Sequence, residues 1–240
     1  TIDDANRALK LFRVKEFGKE FTVIPGVRVI LRVAGHILGS SFIEMTVTEG
    51  DKQTRLIFTG DIGQPNQPII DDPSKLPPAD FVITESTYGN RVHEAYDKEG
   101  ELANIVNDTV ERGGNVIIPA FAVGRTQVLL YYFQKLISEG KMPEVPIYVD
   151  SPMANRATAI TLTNPEEYDE EARALYEMQG RRLVAMHNLR FTATAQESMA
   201  INDTPGPKII LSASGMADAG RILHHLKHNL WRKECSVVFA

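Results

Sequence analysis

Through the first third of the chain, apolar and polar positions alternate with a period of two, the signature of half-buried strands. That pattern predicts strands over residues 21–24, 27–33, 42–47 and 55–59, separated by Pro25-Gly26 and Glu49-Gly50-Asp51. Ahead of them, residues 3–12 read as a short helix, with Asp3 or Asp4 as cap and Ala5, Leu9 and Phe12 on one face. After Asp80 the rhythm changes to strand and helix in turn. Strands are predicted over 81–84, 116–118, 146–149, 208–211 and 236–239. Helices are predicted over 97–112, 123–138, near 153–162 and 166–179, and over 219–230. A β-rich part followed by alternation implies an α/β fold whose second part is a mostly parallel, doubly wound sheet. The expected division falls near residues 89–94, giving units 1–90 and 91–240.

Composition adds little to this and excludes more. Hydrophobic residues make up 43% and charged residues 24% of 240, an ordinary globular balance. No run approaches the roughly 18 apolar residues a membrane helix needs, so no membrane role is expected. Cys235 is the one cysteine, which rules out an internal disulfide and a thiolate zinc cluster within one chain. The cytoplasm is the expected location. The net charge of −5 argues against broad electrostatic binding of duplex nucleic acid, yet residues 221–233 hold four Lys or Arg and three His with no acid. That stretch is either a local basic groove or a solvated face balancing the acidic run 166–171. The chain opens on Thr1 and stops inside an apolar β-type run, and is therefore read as an excerpt of a longer protein.

Three apolar strands are predicted to end in a polar residue flanked by glycines or small residues. Ala34-Gly35-His36-Ile-Leu-Gly39-Ser40 leaves an imidazole unobstructed at a strand tip, which suits a structural turn or a metal ligand. Gly60-Asp61-Ile62-Gly63 does the same for a carboxylate, as a turn former or as a bridge between two metal ions. Glu85, in Thr84-Glu85-Ser86-Thr87, adds another carboxylate at the end of a third strand. In the second part, Ser212, Ser214 and Gly215 lie between a strand and a helix, and Gly124-Arg125-Thr126 opens another helix. Such junctions can offer backbone N–H groups to a phosphate, or be tight turns with capping serines. Tyr131, Tyr132 and Tyr148 read as core packing.

The strings AGHILGS, FTGDIG, ITESTYGNR, IPAFAVGRTQ, YVDSPMA, LSASGM and GRILHHL occur in this order between Ala34 and Leu226. Together they resemble the β-CASP branch of the metallo-β-lactamase superfamily, in its prokaryotic form. The resemblance implies a partial metallo-β-lactamase αββα core over 1–90 and a β-CASP cassette over 91–240. It also implies two zinc ions, about 3.5–4 Å apart in such sites, that activate water for in-line attack on an RNA phosphodiester. On this basis His36 is a zinc ligand, Asp61 bridges both ions, and Glu85 orients a neighbouring histidine. Arg91 and His93 line the way into the cassette, while Arg125, Ser212, Ser214 and Gly215 hold RNA phosphates. Single-stranded RNA is the implied partner, and a homodimer is one of the assemblies left open.

The family's His-x-His-x-Asp-His cluster and its two later histidines have no counterpart in this sequence. His224, His225 and His228 do not replace them. The resemblance therefore implies an RNA-cleaving zinc hydrolase as a full-length protein, with this stretch alone inactive. Two other readings stand beside it. A hydrolase of small esters or thioesters would not need the cassette after Gly89, and a non-catalytic β-CASP scaffold would not need His36, Asp61 and Glu85 together.

Overall fold

Alternation in the first part folds into one five-stranded sheet. The computed structural model describes residues 1–92, 97–180 and 184–239. Helix α1 (Ile2–Leu9) is closed at its start by a capping box between Thr1 and Asp4. Strands β1 (Phe21–Ile24), β2 (Val27–Val33), β3 (Ser41–Glu49) and β4 (Lys52–Phe58) then form an antiparallel meander, with β5 (Phe81–Ile83) parallel to β4. Pairing of Leu31 with Ile43, Val29 with Met45, Ile43 with Phe58 and Leu56 with Phe81 gives one face a continuous apolar centre. The opposite face pairs Arg32 with Phe42 and Glu44 with Ile57, and there the buried Glu44 carboxylate receives Arg32 at 2.7 Å and Arg55 at 3.6 Å. The apolar face is only partly covered; Phe81 and Ile83 at its edge are about half exposed or more.

The second part alternates as predicted. Its elements are α2 (Lys98–Glu111), β6 (Val116–Pro119), α3 (Arg125–Ser138), β7 (Ile147–Asp150), α4 (Pro152–Leu162), α5 (Glu170–Met178), β8 (Leu189–Phe191), α6 (Ala195–Asp203), β9 (Ile209–Ser212), α7 (Ile222–Asn229) and β10 (Ser236–Val237). The strands pair β10-β6-β9-β7-β8, all parallel. Period two sorts their side chains. Val116, Ile118, Ile147, Val149, Ile209 and Leu211 pack with Leu102 and Val106 of α2 and Leu129, Leu130 and Phe133 of α3. Ile117 and Ile210 point the other way, toward the side where α7 packs on β6 and β9, and are likewise fully buried. Each such side chain contributes about 1.5–3 kcal/mol over exposure, so two-sided burial makes this sheet the anchor of its unit.

By compactness the chain divides into residues 1–67 with 72–90, and residues 68–71 with 91–240. The small excursion has a cause: Ile69 is buried with Tyr131, Tyr168 and Ala172, and Ile70 bridges to Tyr168. Tyr168 also explains a departure from the predicted helix 166–179. It is fully buried, donates to the Thr161 carbonyl at 2.7 Å, and splits that stretch into a 3-10 turn (Pro165–Glu167) and α5, which Asp169 caps. The predicted helix 219–230 starts later, at Ile222, because Gly220 sits at φ +80° where a β-carbon would lie 2.5 Å from the Ala213 carbonyl oxygen. Strand β8 and helix α6 were not among the predicted elements.

Candidate functional site

The first candidate site follows from strand direction. Strand β2 is antiparallel to β3 and β3 to β4, so β2 and β4 run the same way, and β5 is parallel to β4. Their C-terminal ends therefore share one edge of the sheet, and the segments bearing His36, Asp61 and Glu85 leave from it. Glycine lets two of those segments touch. A side chain at Gly63 would strike the Gly35 carbonyl, and the Gly63 N–H donates to Ala34 O at 2.8 Å. Ser40 holds the first loop, accepting through Oγ from the N–H groups of His36 at 3.1 Å and Ile37 at 3.2 Å.

The outcome is His36 Nε2 3.9 Å from Asp61 Oδ2, with side chains 46% and 76% exposed. Glu85 stands behind them. Its Oε1 accepts from the Ile62 N–H at 3.0 Å and its Oε2 from Thr87 Oγ1 at 2.6 Å. Those two bonds, Thr87 first, hold the Glu85 carboxyl below its ordinary value, with a smaller contribution from His36. Its hydrogen-bond partners among the described residues are thus one backbone N–H of the loop carrying Asp61 and the hydroxyl of Thr87 in its own loop. Arg91 is exposed beyond β5, and His93 lies outside the described residues.

An imidazole nitrogen and a carboxylate oxygen, both open to solvent, suit two positions of a zinc shell. Zinc takes three or four protein ligands, and among the described residues no group of three or more His, Cys, Asp or Glu could hold a metal ion. The pair fits part of a shell and not a whole one.

The second candidate site lies at the C-terminal edge of the parallel sheet, where open α/β sheets gather ligands. Strands β6 and β9 are neighbours, and the Ala120 N–H donates to Ser212 O at 3.0 Å, so the loops that follow them run side by side. Gly215 packs so tightly on Phe121 that a β-carbon would lie 2.7 Å from its ring. Phe121 in turn receives the Thr126 N–H at 3.2 Å, at the start of α3. Through Phe121 the loop of Gly215 thus adjoins the segment that leads into α3. Arg125 is exposed in the first turn of α3, and among the described residues its guanidinium makes no hydrogen bond or ion pair.

Two expectations about backbone donors need correcting. Ser214 and Gly215 belong to a loop folded on itself, through Ser214 N–H to Ala219 O at 3.0 Å, well before α7 begins. At α3 the N–H of Gly124 is used by Gln127 Oε1 and that of Arg125 by Val123 O. The Ser214 hydroxyl is used within the same loop as well, donating to Asp218 Oδ1 at 2.6 Å. Ser212 is buried, its Oγ donating to Asp150 O at 3.0 Å.

Sequence reading missed the hub behind that edge. Asp150, with no exposed surface, ends β7. Its Oδ1 receives Arg221 at 2.7 Å and Thr192; its Oδ2 receives Ser198 at 2.5 Å and faces His225 Nε2 at 2.7 Å. Arg221 also donates to Ala193 O at 2.8 Å. Burial alone would raise the Asp150 pKa, but the hydrogen bonds, His225 first, outweigh it and hold the carboxyl well below the usual range. Asp150, Arg221 and His225 stand in YVDSPMA and GRILHHL, and the pairing of an acid in one with bases in the other was the available signal.

Residues 126–240 match the Beta-Casp domain family. The chain is 37% identical to ribonuclease TTHA0252 of Thermus thermophilus over 240 residues, 99% of this chain and 54% of the relative. It is 34% identical to the transcription termination factor FttA of a Lokiarchaeum species over 215 residues, 88% of this chain and 33% of the relative. With an RNase J-like protein of Methanocaldococcus jannaschii it shares 30% over 229 residues, 94% of this chain and 51% of the relative. The chain spans about half the length of these relatives, or less. No helix among the described residues is long and apolar enough to cross a membrane.

Proposed function

We propose, from the match of residues 126–240 to the Beta-Casp domain family, that the chain is part of a β-CASP protein whose full-length form is a zinc-dependent, cytoplasmic ribonuclease acting on single-stranded RNA. The observation that carries this is the His36–Asp61 pair, 3.9 Å apart at one sheet edge with Glu85 bonded behind it. His36 and Asp61 would hold zinc together with donors from the rest of the full-length protein. Zinc, when bound, supplies an acidified water and a Lewis acid for a phosphoryl oxygen. Glu85 fixes the backbone at Ile62 and so the bearing of Asp61, the kind of support that conserves ligand geometry.

RNA as the polymer is supported by the names ribonuclease and RNase J-like among the relatives. In the second unit Arg125 offers a guanidinium and Gly215 a close backbone to phosphate, contacts that ignore base identity, while Ser214 shapes the loop through its hydroxyl bond to Asp218. Ser212 supports this edge from beneath.

Ribonuclease activity and zinc content of the full-length protein test the reading together. Asp61→Ala is expected to lose both. Glu85→Gln keeps size and the Ile62 bond, and is expected to keep zinc while losing roughly 10–100-fold in rate, the scale for groups that orient ligands. A wild-type protein with neither zinc nor cleavage would instead favour a scaffold role.

A further inference from the structure

Helix α7 carries histidines at 224, 225 and 228, and packing sorts them. Ile222, His225 and Asn229 are buried, and α7 rests on β6, β9 and α6. His225 is wholly engaged, with Nε2 on Asp150 and Nδ1 3.3 Å from Asn202 Oδ1. His224 and His228 stand one helical turn apart, the first half-buried and the second exposed. Their ring centres are 4.5 Å apart with planes at 68°. Positions i and i+4 overlie one another on a helix, so the backbone itself brings these rings together. Among the described residues neither is held by a hydrogen bond.

We propose that His224 and His228 form a chelating site for one late divalent transition-metal ion, Cu²⁺, Ni²⁺ or Zn²⁺. Two imidazoles four residues apart on one helix face are a recurrent metal-binding arrangement. Imidazole nitrogen suits these ions, with Cu²⁺ bound most strongly, whereas Mg²⁺ and Ca²⁺ require oxygen donors. Metal–nitrogen bonds of about 2.0–2.1 Å let both rings reach a common ion by side-chain rotation, because the packed helix already fixes their spacing. Charge gives no help. Lys227 adjoins the pair, residues 221–233 contain no acid, and Asp150 is spent on Arg221 and His225. Affinity therefore depends on both imidazoles, and removing either should abolish the chelate. The proposal rests on residues of the second unit alone and does not depend on the role of the His36–Asp61 pair.

The test adds equimolar Cu²⁺ to the full-length protein with any resident metal in place, followed by electron paramagnetic resonance and titration. Wild type is expected to show copper with two imidazole nitrogens, unaffected by excess Mg²⁺. His224→Asn and His228→Asn should each weaken binding at least about tenfold, since loss of mere supporting groups already costs 10–100-fold. Both positions lie on the helix flank, so melting curves of the variants should match wild type. A copper signal indifferent to both substitutions, or one that appears only as resident zinc is released, overturns the proposal. Absence of bound copper in the wild type does so too.

Discussion

Two aspartates at strand ends show how the same residue acquires opposite roles. Asp61 has a side chain 76% exposed and a single basic neighbour at 3.9 Å, which leaves its oxygens free for an outside partner. Asp150 has no exposure and four side-chain partners, so its charge is already spent. Its carboxyl is held below the unfolded value of about 3.9. A depressed folded pKa contributes stability that is fully present above the unfolded value and is lost as pH falls through the folded one. Asp150→Asn should therefore cost about 3–5 kcal/mol at neutral pH, the range for breaking a buried pair, and measurably less near pH 3, where the unfolded carboxyl is already protonating while the folded one stays ionised. Denaturant melts at pH 7 and near pH 3 check this; an equal loss at both would refute the electrostatic account. Resemblance could single out Asp61, but Asp150 gave no local sign, because its partners lie 42 to 75 residues away along the chain.

Elements were legible where periodicity and turn residues agreed. Strands 21–24 and 27–33 form with the bounds expected, since Pro25-Gly26 marks their junction and alternation is clean. Strand β8 escaped because it has three residues and becomes a strand only by pairing with β7. Helix α6 did carry a signal: Thr194 and Glu197 make a capping box of the readable S/T-x-x-E type. Between elements, the loop 213–221 and the start of α3 meet through Gly215 and Phe121, a contact that no pattern along the chain encodes. That meeting gives Arg125 its meaning. Arg125→Ala in the full-length protein should weaken single-stranded RNA of any sequence and flatten the salt dependence of binding, with zinc content unchanged. Affinity measured across a salt series decides the matter; an unaltered slope in a folded variant would remove Arg125 from the phosphate contacts.

At the scale of the molecule, the first unit leaves one sheet face apolar and only partly covered, while the second buries both faces of its sheet. The division between the units is not a clean cut in sequence. Residues 68–71 precede β5, yet Ile69 is 3% exposed within the second unit and Ile70 pairs with Tyr168. The thread leaves one body, inserts a stitch in the other, and returns. For anyone wishing to excise the cassette, the obvious cut at residue 91 discards that stitch. Such a fragment forfeits about 1.5–3 kcal/mol from the Ile69 side chain and bares Tyr168, whose fluorescence and thermal midpoint should reveal the loss. Supplying residues 68–71 as a short appended segment should restore the midpoint. If the bare fragment melts where the repaired one does, the stitch is ornamental.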